Sequence, residues 1–107
     1  MSEQAARTFA ALGDSTRLAL VRRLSRGARL NVTELTTGTG VTRQAVSKHL
    51  AVLQGAGLVS RASEGRETVY RLCAEPLDVA GDFLERLARG WDDAVERLRA
   101  HVEQEDG

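Results

Sequence analysis

The sequence predicts a mainly α domain with a single β-hairpin, placing it in the α+β class. Three observations predict this. Apolar residues recur at steps of three and four along most of the chain. Glycines at 13, 27, 38, 40, 55 and 57 interrupt that pattern where helices should stop. Only residues 58–72 break from it, as two short runs either side of Glu64-Gly65-Arg66-Glu67, the arrangement of strands joined by a turn.

A chain of 107 residues holds one domain, expected to span 1–107. Apolar residues make up 42%, enough for a core but a small one, so the subunit gains from an oligomer. The N-terminus MSEQAARTF has neither the basic start nor the apolar run of a signal peptide, and no run reaches membrane-spanning length. Cys73 is the only cysteine, which excludes an internal disulfide. A cytoplasmic protein with no membrane contact is expected.

The formal net charge is zero, and the total conceals an asymmetry. Residues 1–74 carry eleven Lys/Arg against five Asp/Glu, and residues 75–107 carry four against ten. A polyanion should therefore meet the first three quarters of the chain.

Glu3 to Leu12 forms the first expected helix, with Ala5, Ala6, Phe9, Ala10 and Leu12 on its apolar side and Gly13 ending it. Asp14 or Ser15 caps the second, which runs to about Ser25 with Leu18, Val21 and Leu24 inward. Arg22, Arg23 and Arg26 suit its C-terminal dipole and read as solvated charges, with phosphate contact as the alternative. Gly27 stops it. Asn31 and Glu34 have capping-box spacing for a short helix from Val32 to Thr37, with Val32 and Leu35 inward. Gly38-Thr39-Gly40 is a tight turn, Val41 a buried anchor, and Thr42 the cap of the next helix.

That helix, 42–54, has two unlike faces. Ala45, Val46, His49, Leu50 and Leu53 form an inward stripe, while Arg43, Gln44, Ser47 and Lys48 form a donor-rich front with no acid. Such a front suits the major groove of DNA. Alone it would be an ordinary solvated face; the short helix and glycine turn before it make the pair a helix-turn-helix pattern. Gly55 or Gly57 ends it. In the hairpin, Tyr70 and Leu72 share one face, Val69 and Arg71 the other, and Arg61, Arg66 and Arg71 make it basic. Arg66 at the tip is best placed to enter a minor groove. Cys73 reads as a small buried apolar residue.

Pro76 sits at the expected first position of a long last helix, 77–102. Leu77, Ala80, Leu84, Leu87, Trp91, Ala94 and Leu98 make a heptad-like seam, widened by Phe83 and Val95. The surplus length reads as a dimer surface formed by Leu84, Leu87, Trp91 and Leu98, with Phe9 of the first helix beside it. A helix folded back on its own core is the alternative. Gln104 to Gly107 is expected to fray.

The chain resembles the ArsR/SmtB family of bacterial winged-helix repressors. The resemblance rests on ALGDSTRLALVRRL at 11–24, VTRQAVSKHLAVLQGAGLVSRASEGRETVYRL at 41–72 and the helical tail. It implies a winged helix-turn-helix fold and a homodimer built from the first and last helices. It further implies a DNA operator of near-palindromic sequence, bound without a cofactor. Carried over by position, Thr42, Arg43, Gln44, Ser47, Lys48 and His49 on the helix and Arg61 and Arg66 on the wing would meet DNA. His49 faces the inward stripe, so a packed, hydrogen-bonded role is read for it first, with a phosphate contact second. The metal-sensing members carry a Cys-x-Cys pair that Asn31 to Thr37 lacks, or paired histidine ligands on the last helix. Here Asp78 or Asp82 with His101 and Glu105 would give only a partial site, so the non-metal branch and no metal are expected. A redox response would need a partner for Cys73 from another chain.

Two other readings differ in class. A winged helix used for protein contact is permitted by the apolar tail but leaves the basic front and wing without a purpose. An enzyme would need a nucleophile pair, a metal site or a phosphate loop, and none is present; Gly38-x-Gly40 does not follow a strand.

Overall fold

A computed structural model describes residues 2–106. The order is α1 (Glu3–Leu12), α2 (Ser15–Leu24), α3 (Val32–Thr36), α4 (Arg43–Gly55), β1 (Val59–Glu64), β2 (Glu67–Leu72) and α5 (Glu75–Asp106). Each of the first four helices begins on a side chain that accepts a first-turn N–H: Ser2, Asp14, Asn31 and Thr42. Asp14 rather than Ser15 therefore caps α2. Asn31 and Glu34 form the full capping box, at 2.8 and 3.1 Å.

The core gathers Leu20, Val21 and Leu24 of α2, Leu35 of α3, Val46, Leu50 and Leu53 of α4, and Leu58, Val59 and Tyr70 from the hairpin. Burying each leucine contributes about 1.5–3 kcal/mol. Leu18, expected inward, is 45% exposed, and Leu20 is buried in its place. The buried residues of α2 are Leu20, Val21 and Leu24, and the half-buried Arg17 lies one turn before them, its Nε donating to Ala11 O. Val41, expected as a buried anchor, is exposed. Thr39 closes that turn instead: its hydroxyl donates to Thr36 O at 2.7 Å and accepts from the Val41 N–H at 3.3 Å.

Helix α4 ends in a Schellman motif. The Leu58 N–H donates to Leu53 O and the Gly57 N–H to Gln54 O, both at 3.0 Å. Gly57 takes φ 75°, so it is the left-handed residue, and Gly55 closes the helix. Leu53 and Leu58 bury together behind the turn.

The hairpin pairs Val59 with Leu72 through to Glu64 with Glu67, so its loop is only Gly65-Arg66, two residues shorter than expected. Gly65 has φ 63° at the first central position, as two-residue hairpins require. Tyr70 also exchanges both backbone hydrogen bonds with Leu30, at 3.1 and 2.8 Å, an isolated antiparallel bridge on the free edge of β2. A single residue has no alternation to detect, so this pairing is not legible in the sequence.

Helix α5 starts at Glu75, which puts Pro76 one position later than expected. Pro76 and Ala80 are buried, Phe83 is half-buried against Phe9 with ring centroids 5.9 Å apart, Arg86 and Leu87 still share a hollow with Ser2 and Ala5, and the rest of the helix is largely exposed. Its 32 residues span about 48 Å. The long dimension of the molecule is 73 Å and the other two are 26 and 22 Å, so the helix does not fold back on its own core. It stays helical through Asp106 where fraying was expected, while Gly107 lies outside the described residues. No helix among the described residues is long and apolar enough to cross a membrane.

Candidate nucleic-acid interface

The front of α4 is built by what lies behind it. Val46, Leu50 and Leu53 have no exposure, so the helix cannot roll without opening the core. The opposite side chains, Arg43, Gln44, Ser47 and Lys48, are all exposed. With Thr42 and Val32 they line one shallow surface groove. Val32 opens α3, so the start of α3 flanks the front of α4. The four expected reading residues therefore share one surface, and Thr42 has a second task as cap, its hydroxyl accepting from the Ala45 N–H at 3.0 Å.

His49 lies between the core and the front, with 24% of its side chain exposed. Its Nδ1 lies 3.3 Å from Arg17 Nη1 and 3.8 Å from Asp14 Oδ2. Arginine has no lone pair to offer, so Nδ1 is the acceptor. This is the packed, hydrogen-bonded role read first for His49. Asp14 accepts from the backbone of Thr16 and Arg17, at 2.9 and 3.0 Å. The Arg17 backbone N–H first, then the Thr16 N–H and the charge of the Arg17 side chain, hold its carboxyl below the usual range against partial desolvation. In the sequence Arg17 looks like one more solvated arginine, so its part in this contact is not legible there.

Arg61 and Arg66 are exposed on the wing, Arg66 at the turn. Two ties hold the tip to the chain before α3. Arg29 Nη1 lies 2.6 Å from Glu64 Oε1, and Asn31 Nδ2 donates to Glu67 Oε1 at 3.2 Å. Arg71 donates to Ser60 across the sheet at 3.1 Å. Val69 is buried on the outer sheet face, where it shares a hollow with Arg29, Arg61 and Arg71. Arg23 is not simply solvated: it donates to Leu35 O at 2.9 Å and braces the end of α3.

The expected dimer residues divide. Phe9 packs within the chain on Phe83, whereas Leu84, Leu87, Trp91 and Leu98 stand 51, 59, 69 and 64% exposed. Val102, not anticipated, extends the stripe at 48%. Cys73 is half-buried, its N–H donating to Leu58 O at 2.8 Å. Among the described residues no three His, Cys, Asp or Glu side chains gather where they would hold a metal ion. The Glu105 side chain considered as a ligand lies outside the described residues.

Comparison with known proteins agrees with this architecture. A helix-turn-helix domain family matches residues 12–61. The chain is 39% identical over 89 residues to the uncharacterized HTH-type transcriptional regulator YuzN of Bacillus subtilis, covering 78% of this chain and 89% of that protein. It is 36% identical over 85 residues to the HTH-type transcriptional repressor SmtB of Mycobacterium tuberculosis, covering 79% of this chain and 61% of that one. The structure of an ArsR-like transcriptional regulator from Rhodococcus sp. RHA1 superposes with a TM-score of 0.75 at 38% identity, covering 89% of each chain. The chain belongs to the ArsR/SmtB family of winged helix-turn-helix transcription regulators, which bind DNA and are not enzymes.

Proposed function

We propose that this regulator is a repressor that binds a near-palindromic operator as a homodimer. Helix α4 reads the major groove and the wing follows the adjacent backbone and minor groove. The observation that carries the reading is the front of α4: Arg43, Gln44, Ser47 and Lys48 stand exposed together on a helix whose back is fully buried. Arg43 and Lys48 suit guanine edges, Gln44 suits adenine, and Ser47 serves either. Thr42, Arg61 and Arg66 serve the backbone and minor groove. His49 contributes chiefly by fixing α4.

The exposed stripe Leu84, Leu87, Trp91 and Leu98 supports the homodimer, since so long an apolar surface in water invites a second copy. The α1–α5 contact carries Phe9 to its edge. A two-fold axis would set the α4 copies in half-sites about one helical turn apart. A dimer seated on such a site blocks competing proteins, and the similarity to a repressor supports that direction. The reading places the protein in the cytoplasm with the DNA it binds, and in the non-metal branch of its family.

The test is binding to duplex DNA from upstream of its own gene, followed by fluorescence anisotropy. Arg43→Ala or Lys48→Ala should each weaken binding by about 1–3 kcal/mol, and affinity should fall steeply with salt. Unchanged binding in both variants overturns the assignment of this face. A gel shift with random duplex at low salt separates the protein-contact reading, which expects no binding at all. Footprinting that finds one asymmetric site overturns the two-fold arrangement.

A further inference from the structure

We infer that Arg29, on the segment before α3, is a further DNA-phosphate contact, occupied in the free protein by the Glu64 carboxylate as a stand-in for phosphate. The inference rests on α4 and the wing being the DNA surface. Arg29 Nη1 lies 2.6 Å from Glu64 Oε1, and both side chains remain open to solvent, 62 and 43% exposed. An exposed ion pair of this kind contributes little net stability, so exchanging the carboxylate for another anion costs little.

The position of the pair selects the anion. The Leu30–Tyr70 bridge clamps the backbone beside Arg29 against β2. Two residues on, Val32 lines the groove in front of α4 with Arg43 and Lys48. Residues 29–32 thus run from the wing to the reading helix, bridging the two parts that would straddle one phosphate backbone. Glu64 faces Glu67 across the ladder, two like charges that repel unless each has a partner. Arg29 and Asn31 are those partners. A phosphate strand would repel Glu64 and attract Arg29, so its approach opens the pair and transfers the guanidinium to a phosphate oxygen. No covalent step is involved.

The experiment titrates duplex DNA from upstream of the gene with the full chain and with Arg29→Gln, Glu64→Gln, Arg29→Gln/Glu64→Gln and Lys48→Ala, over a range of salt. Arg29→Gln should weaken binding several-fold and reduce the salt slope by about one. Glu64→Gln should tighten binding several-fold, and that gain should shrink once Arg29 is also replaced. A pair that only braces the wing gives the opposite sign: Glu64→Gln weakens binding as Arg29→Gln does, which overturns the inference. Unchanged binding in Arg29→Gln while Lys48→Ala is weakened overturns it alone. Unchanged binding in both Lys48→Ala and the Arg43→Ala variant named above overturns the underlying reading and this inference with it.

Discussion

The guanidinium of Arg17 reaches from α2 to within 3.3 Å of His49 Nδ1 on α4, while its Nε donates to the Ala11 carbonyl at 2.6 Å. One side chain therefore ties the end of α1, the start of α2 and the middle of the reading helix. His49 lies two turns from the cap at Thr42 on the flank of the front, so its placement fixes how far α4 can rotate. Replacing Arg17 by Ala removes both bonds and leaves the ring and the carbonyl short of a donor. We expect a loss of about 1–3 kcal/mol in urea unfolding. Arg17→Lys should recover only part, because an ammonium cannot serve two acceptors in fork geometry. Full stability in Arg17→Ala would mean that the tie is incidental.

Asp14 should make the acid limb of stability steeper. Its folded carboxyl titrates below the usual range, chiefly through the Arg17 N–H. A depressed carboxylate stabilises the fold above its unfolded pKa and loses that contribution as pH falls through the folded value. Asp14→Asn keeps a capping oxygen but has no charge to titrate. Urea unfolding across the acid range should show a shallower pH dependence for the variant, with the two curves converging at the lowest pH. Parallel curves would show that the cap acts without its charge.

The two glycines after α4 should respond oppositely to alanine. Gly57 holds φ 75°, and a Cβ there would meet only Pro76 Cγ at an ordinary 3.8 Å, so the penalty is backbone strain alone, about 1–2 kcal/mol. Gly55 is helical with open space around it, so alanine should stabilise by about 0.5–1 kcal/mol. Thermal unfolding of the two variants side by side reads both signs, and a common sign would contradict the Schellman geometry.

Trp91 is the sole tryptophan and stands 69% exposed on α5, so its emission reports what covers the stripe. In a dimer the emission should shift to the red on dilution, as water reaches the ring. Leu87→Glu should give the red-shifted spectrum at every concentration and sediment as a monomer. Emission independent of concentration, with monomer sedimentation of the unaltered chain, would remove the stripe as an interface.

The elements and much of their order were legible in the chain before any contact was known. Caps, glycine stops and three-four periodicity are local signals, and local hydrogen bonds satisfy them wherever the chain goes. Asn31 with Glu34, Thr42, and the inward run Val46, Leu50 and Leu53 were legible for that reason, as was the cationic front opposite them. Tertiary structure alone decided what depends on partners far along the chain. Leu18 stands exposed and Leu20 buried because the elements that pack on α2 cover the side that carries Leu20, Val21 and Leu24. Leu30 bridges to the sheet only because Tyr70 presents a free edge to it. Arg17, Arg23 and Arg29 look alike in sequence, yet one backs the reading helix, one braces α3 and one pairs with the wing. A long side chain carries its charge several ångströms from its own backbone, so its role is set by whichever element folds against it.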